Sequence, residues 1–159
     1  MTVVVACGDT VSGTALPNLV VATSLSQEHA SSSAAATSVA RMRATRAACM
    51  ALSAYDDAAV TAYNAMVDAL NAGSGWSGAN VDTTAAAAVT AIRNVADRIS
   101  TALAQDADQM IANLLRDVAT KYRAEVDLII AHGTADTMNA AKDAAATARD
   151  TAMDACDKY

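Results

Sequence analysis

Beyond residue 24, apolar side chains recur along the chain in steps of three and four. That is the coiled-coil step, and it predicts long helices that each bury one face. In the first stretch it joins Val39, Met42, Arg46, Cys49, Ser53, Asp56, Val60, Tyr63, Val67 and Leu70, a seam apolar at its ends and polar in its middle. No Pro or Gly interrupts residues 24–72, and Ser24 with Gln27 forms a capping box, so one helix or two collinear ones is predicted there. Gly73 supplies the stop. A second face, Ile92, Val95, Ile99, Leu103, Met110, Leu114, Val118, Val126 and Ile129, predicts a helix over 81–132, capped by Asn80 or Asp82 and ended by Gly133. A third, Met138, Ala141, Ala145, Ala148, Ala152 and Ala155, predicts a helix over 135–157 that starts at Thr134 or Asp136.

Residues 1–23 read differently. Val3, Val4 and Val5 are β-branched, Gly8-Asp9 is a turn signal, and Ser12-Gly13 and Pro17 punctuate the rest. An extended N-terminal arm or small β-hairpin is expected, one that must lie on its own bundle or on a neighbouring copy. The predicted fold is all-α: an elongated antiparallel helical hairpin plus a third helix, making a three-helix bundle in a single domain over 24–159.

The turn Gly73-Ser74-Gly75-Trp76-Ser77-Gly78 centres the hairpin near Ser77, so residues whose numbers sum to about 154 should face each other. Arg46 then meets Asp108, with Asp106 one helical step away, and Asp56 meets Arg98. These are the expected structural salt bridges, and paired charges at a seam fix register more than they stabilise. The same pairing would absorb the Arg41, Arg43 and Arg46 cluster.

Composition sharpens this picture. Alanine accounts for 42 of 159 residues and phenylalanine is absent. Burying alanine yields little transfer energy, since the gain follows apolar area, so a core completed by association with copies of the chain is favoured. Alanine seams also let helix axes approach closely. The net charge of −6 excludes a nucleic-acid surface, which must be basic. Aspartate dominates the acids, arginine the bases, and the residue usage fits a GC-rich bacterial, archaeal or phage gene. No apolar run is long enough for a membrane span, and no signal-peptide pattern is seen. Cys7, Cys49 and Cys156 are odd in number and match no zinc or disulfide spacing, so reduced, mostly buried thiols are expected.

Candidate chemistry is sparse. Gly73-x-Gly75-x-x-Gly78 spells the dinucleotide fingerprint, but a helix precedes it where that motif needs a strand. Ser77 sits in no nucleophile elbow. His29 and His132 are the only histidines, and His132 reads as a helix C-terminal residue favoured by the dipole. Two glutamates and no Glu-x-x-His pair exclude a four-helix di-iron site. No catalytic residue, cofactor or metal is expected.

Trp76 is the most pointed residue: flanked by Gly and Ser, it reads as a plug for the end of the bundle or as an anchor for a partner. Trp76-Ser77-Gly78 between two helices resembles the WxG turn of the WXG100 family. That resemblance implies a small dimerising helical hairpin exported by type VII secretion. It covers only the turn and its flanking helices; the helices here are longer and a third is added. The family's Tyr-x-x-x-Asp/Glu signal is missing, Val126 standing four residues beyond Tyr122.

The expected function is therefore a non-enzymatic, self-assembling structural protein, such as a phage or virus particle component or a filament, located in the assembled particle. Its interaction residues would be Trp76, Val3, Val4 and Val5. The runner-up is a small secreted or adaptor hairpin that binds a protein partner through the Trp76 turn.

Overall fold

The computed structural model describes residues 19–73, 75–103 and 107–159, with side chains described from Thr23 onward. The element order is α1 (Leu19–Ala72), a single 3₁₀ turn (Gly75–Ser77), α2 (Val81–Ala102), α3 (Gln109–Ile130) and α4 (Ala135–Cys156). The chain divides into two compact units, residues 1–36 and 37–159. In the first, the described part is the opening third of α1, and every side chain from Thr23 to Ala36 is exposed. The hydroxyls of Ser26, Ser31 and Ser32 bond back to the carbonyl three residues earlier. The second unit holds the rest of α1 and the other three helices, packed around one core.

Four helices replace the expected three. The predicted 81–132 helix is two, because Asp108 starts a new one. Its carboxylate accepts from the N–H groups of Met110 (3.0 Å) and Ile111 (3.2 Å), which caps α3. The Thr45 hydroxyl on α1 accepts the Asp108 N–H at 2.8 Å and holds the break in place. The break resets the helical phase. Ile111 and Leu115 turn inward, while Met110, expected in the core, is 58% exposed. α1 begins by Leu19, so Ser24 and Gln27 lie inside the helix rather than at its start, and residues 19–23 are not part of an extended arm. Val3, Val4 and Val5 lie outside the described residues, and no strand occurs among the described ones.

The buried stripe of α1 runs through Thr45, Ala48, Leu52, Asp56, Ala59, Tyr63 and Met66. It coincides with the predicted seam at Asp56 and Tyr63, and the predicted Cys49, Val67 and Leu70 are half-buried against the core, while Val39, Met42, Arg46, Ser53 and Val60 are exposed. The step of three and four was right, and its phase was right at five of the ten positions. Choosing the larger apolar residue misleads where small side chains allow close approach. Thr45 is tolerated inside because its hydroxyl donates to the Arg41 carbonyl at 2.9 Å while accepting from Asp108.

α2 packs on α3, and α3 on α4. Ile92, Val95 and Ile99 bury one face of α2; Ile111, Leu115, Val118, Tyr122, Val126 and Ile129 bury one of α3. The buried α4 face is Met138, Ala145, Ala148, Ala152 and Ala155, all of them predicted, while the predicted Ala141 is only half-buried; the helix is capped by the Thr134 hydroxyl accepting from the Thr137 N–H. A disulfide joins Cys49 on α1 to Cys156, the last residue of α4. This corrects the expectation of reduced thiols at those positions: helix packing, not sequence spacing, brings the two together across 107 residues. Cys7 lies outside the described residues.

Candidate functional site

The α1–α2 and α3–α4 turns meet at one end of the second unit. The Trp76 indole stacks on the His132 ring, with centroids 4.5 Å apart and planes 10° from parallel. Its Nε1–H donates to the Gly133 carbonyl at 3.1 Å. α3 ends in a Schellman motif: the His132 N–H bonds to the Ile129 carbonyl and the Gly133 N–H to the Leu128 carbonyl. The left-handed position belongs to His132 (φ 53°), not to the neighbouring glycine. A Cβ at Gly133 would sit tightly against the Thr137 hydroxyl at 3.1 Å, the Leu128 carbonyl at 3.3 Å and the Met138 side chain at 3.3 Å, which would have to give by a few tenths of an ångström. Trp76 is thus half-buried and tied to the opposite turn, the geometry of a plug.

The expected salt bridges are rearranged. Asp56 is buried, but its cation is Arg149 on α4 (3.5 Å), not Arg98. Its other oxygen accepts a short hydrogen bond from the Tyr122 hydroxyl on α3. Burial, and then that bond to Asp56, push the Tyr122 phenol well above its ordinary range. Arg98 instead places its guanidinium 4.9 Å from the centre of the Tyr55 ring, one residue from the predicted partner. Thr45 likewise stands one residue from Arg46 at its contact with Asp108. Both contacts sum to 153, so the hairpin register was read to within a residue, although the side chains that meet are the neighbours. Arg46 is exposed and ion-pairs with nothing among the described residues; Asp106 lies outside them. The Ile111 N–H and then the Tyr159 hydroxyl hold the Asp108 carboxyl below its ordinary range, with the charge of Arg41 adding to it.

Sequence reasoning missed the polar cluster around Asp56. It opens onto a cavity of about 280 Å³ lined by residues of all four helices, among them Ala59, Tyr63, Ile92, Tyr122, Glu125, Lys142, Ala145, Ala146 and Arg149. Glu125 is 5% exposed. Burial raises its carboxyl to about 7, while Lys142 pulls the other way. Burial also pushes the Tyr63 phenol up to about 12, with Glu125 and Asp143 adding their charge. The overlooked signal was the rarity of glutamate: with 15 aspartates on the chain, the one glutamate beyond Glu28 falls at a buried position of the α3 face.

Large apolar side chains remain exposed on the second unit, including Met42, Met50, Met110, Ile130 and Met153. Among the described residues, no three of His, Cys, Asp and Glu are grouped to hold a metal ion, and no helix is long and apolar enough to cross a membrane.

Four helices around one core agree with the family whose model the sequence matches. The chain belongs to the Rv2240c four-helix bundle domain family. The family model matches residues 29–157, which includes all of α2, α3 and α4 and most of α1. No curated protein and no solved structure matches the chain.

Proposed function

We propose that the chain is a non-enzymatic helical module that assembles with copies of itself through the opening turns of α1. One observation carries this reading: from Thr23 to Ala36 every side chain is exposed, although the backbone is helical throughout. The stretch continues a helix already nucleated further along α1, but most helix stability in proteins comes from packing an apolar face, and exposed side chains contribute little of it. Serine, a middling helix former, occupies five of its positions. A covering partner would add packing to side chains that are exposed among the described residues.

A second copy suits this surface. Ala30, Ala34, Ala35 and Ala36 let an identical helix approach closely, and Leu25, 60% exposed, offers a larger apolar contact. Glu28 is the only full charge in the stretch, so two copies meet without a block of like charges. The virion or filament assignment is a narrower form of the same proposal. The disulfide adds a condition, since such bonds persist where thiols are kept oxidised.

The adaptor reading through Trp76 is weaker, because the indole is already engaged with His132 and Gly133.

Sedimentation equilibrium of the full chain over a hundredfold concentration range tests the proposal. A mass above one chain is expected, reverting to one chain in the double variant Leu25→Lys, Ala35→Lys with the bundle's melt preserved. A wild-type chain that stays monomeric throughout refutes it.

A further inference from the structure

We propose that the cavity in the second unit binds a small amphipathic amine, with its ammonium on the Glu125 carboxylate and its apolar body against Ala59, Ile92 and Ala145. This site is independent of self-association. Two observations meet here. The first is the space itself: about 280 Å³ lies close to the lower end of the ~300–1,000 Å³ of small-molecule sites, and its lining mixes alanine, isoleucine and tyrosine with a few charges. The second is Glu125. Its side chain is more than nine-tenths buried, lines the cavity, and has no hydrogen-bond or ion-pair partner among the described residues. No side-chain oxygen among the described residues is both buried and unpartnered, so the Glu125 oxygens are the part of the residue that the cavity reaches, and a donor entering the cavity can meet them.

The neighbouring charges select the kind of donor. Lys142 is paired with Asp143 at 3.0 Å. Arg149 is held by Asp56 at 3.5 Å and by Asp150 at 2.8 Å. Both cations therefore have carboxylates of their own; Lys142 lines the same cavity and its charge acts on Glu125, but neither cation forms an ion pair with it. An anionic ligand would meet a carboxylate here and a guanidinium already occupied. An ammonium would satisfy Glu125, and the aromatic walls of Tyr63 and Tyr122 are compatible with a cation.

Binding depends on pH through Glu125. The titratable groups around it are Asp56 and Tyr63 from α1, Tyr122 from α3, and Lys142, Asp143 and Arg149 from α4, while α2 contributes the apolar Ile92. Burial holds the carboxyl near 7, so its ionised fraction, and with it the affinity for an ammonium, rises about tenfold from pH 6 to pH 8.

Isothermal titration of the full chain with n-hexylamine, 1-hexanol and hexanoate, at pH 6 and pH 8, tests the assignment. Hexylamine should bind at least tenfold tighter than hexanol at pH 8 and lose about tenfold at pH 6. Glu125→Gln should erase the preference for amine over alcohol and leave hexanol binding in place. Ala146→Leu, which narrows the cavity without touching the carboxyl, should weaken both ligands, and it keeps the test intact should the glutamine variant not fold. Absence of binding, equal affinity for amine and alcohol, preference for hexanoate, or an amine preference that survives Glu125→Gln would each overturn the proposal.

Discussion

Where α2 meets α3, the buried positions carry Ile92, Val95 and Ile99 on one helix and Ile111, Leu115 and Val118 on the other; where α4 joins the bundle, they carry Ala145, Ala148, Ala152 and Ala155. A buried aliphatic side chain contributes roughly 1.5–3 kcal/mol, and an alanine methyl well under half of that. The two sides are accordingly held by different means. The aliphatic side is held by burial. The alanine side has a disulfide from Cys49 to Cys156 and an ion pair from Arg149 to Asp56, whose other oxygen is held by the Tyr122 hydroxyl of α3. Small side chains also leave room. Ala59, Ala145 and Ala146 all line the cavity into which Glu125 faces. Alanine seams thus do two things at once: they bring helices close, and they leave space wherever the opposite residue is small as well.

Breaking the covalent link should have the largest effect. Reducing Cys49–Cys156, or replacing both by serine, frees a 107-residue separation and should cost about 4–5 kcal/mol on the chain-entropy estimate. Urea denaturation with and without reductant measures it. A loss below about 1 kcal/mol would mean that the alanine side holds without its clasp. Next comes the aliphatic side: Leu115→Ala should cost about 3–4 kcal/mol in the same assay, the usual range for a fully buried leucine.

Glu125→Gln should act in the opposite direction. The folded carboxyl titrates near 7 against an ordinary 4.5, so over that window the folded state holds its proton more tightly than the unfolded state does. Stability therefore falls as pH rises from about 4.5 to 7 and is level above that window. The variant removes this loss and should be about 3 kcal/mol more stable than wild type at pH 8, with the gain vanishing near pH 4. Thermal melts across pH would show it, and a pH-independent difference would count against the mechanism. The smallest effect is expected at the end of the bundle. Trp76→Ala removes one ring stack and one hydrogen bond, and should cost about 1–2 kcal/mol without loss of helicity.

Helical content, the alanine face of α4 and the reversal at residues 73–78 were legible in the sequence, because each rests on local chemistry: periodicity, caps and glycine. The boundary between α2 and α3 was hidden. Leu103 and Met110 keep the step of three and four across it, and the cap at Asp108 uses no Gly or Pro. The disulfide was hidden because its two cysteines are neighbours only after α1 and α4 have packed. The register of the hairpin was legible to one residue, which is too coarse to choose between Arg98 over Tyr55 and Arg98 on Asp56. The cavity could not be read at all, since it is defined by what alanines on different helices fail to fill.

The claim that joins these points is that the alanine side leaves a largely buried glutamate facing a cavity with no hydrogen-bond or ion-pair partner among the described residues. Carbon-13 NMR titration of the Glu125 carboxyl in the free protein tests it directly. A midpoint near 7 is predicted; a midpoint near 4.5 would mean that the group is solvated or paired, and would contradict the account.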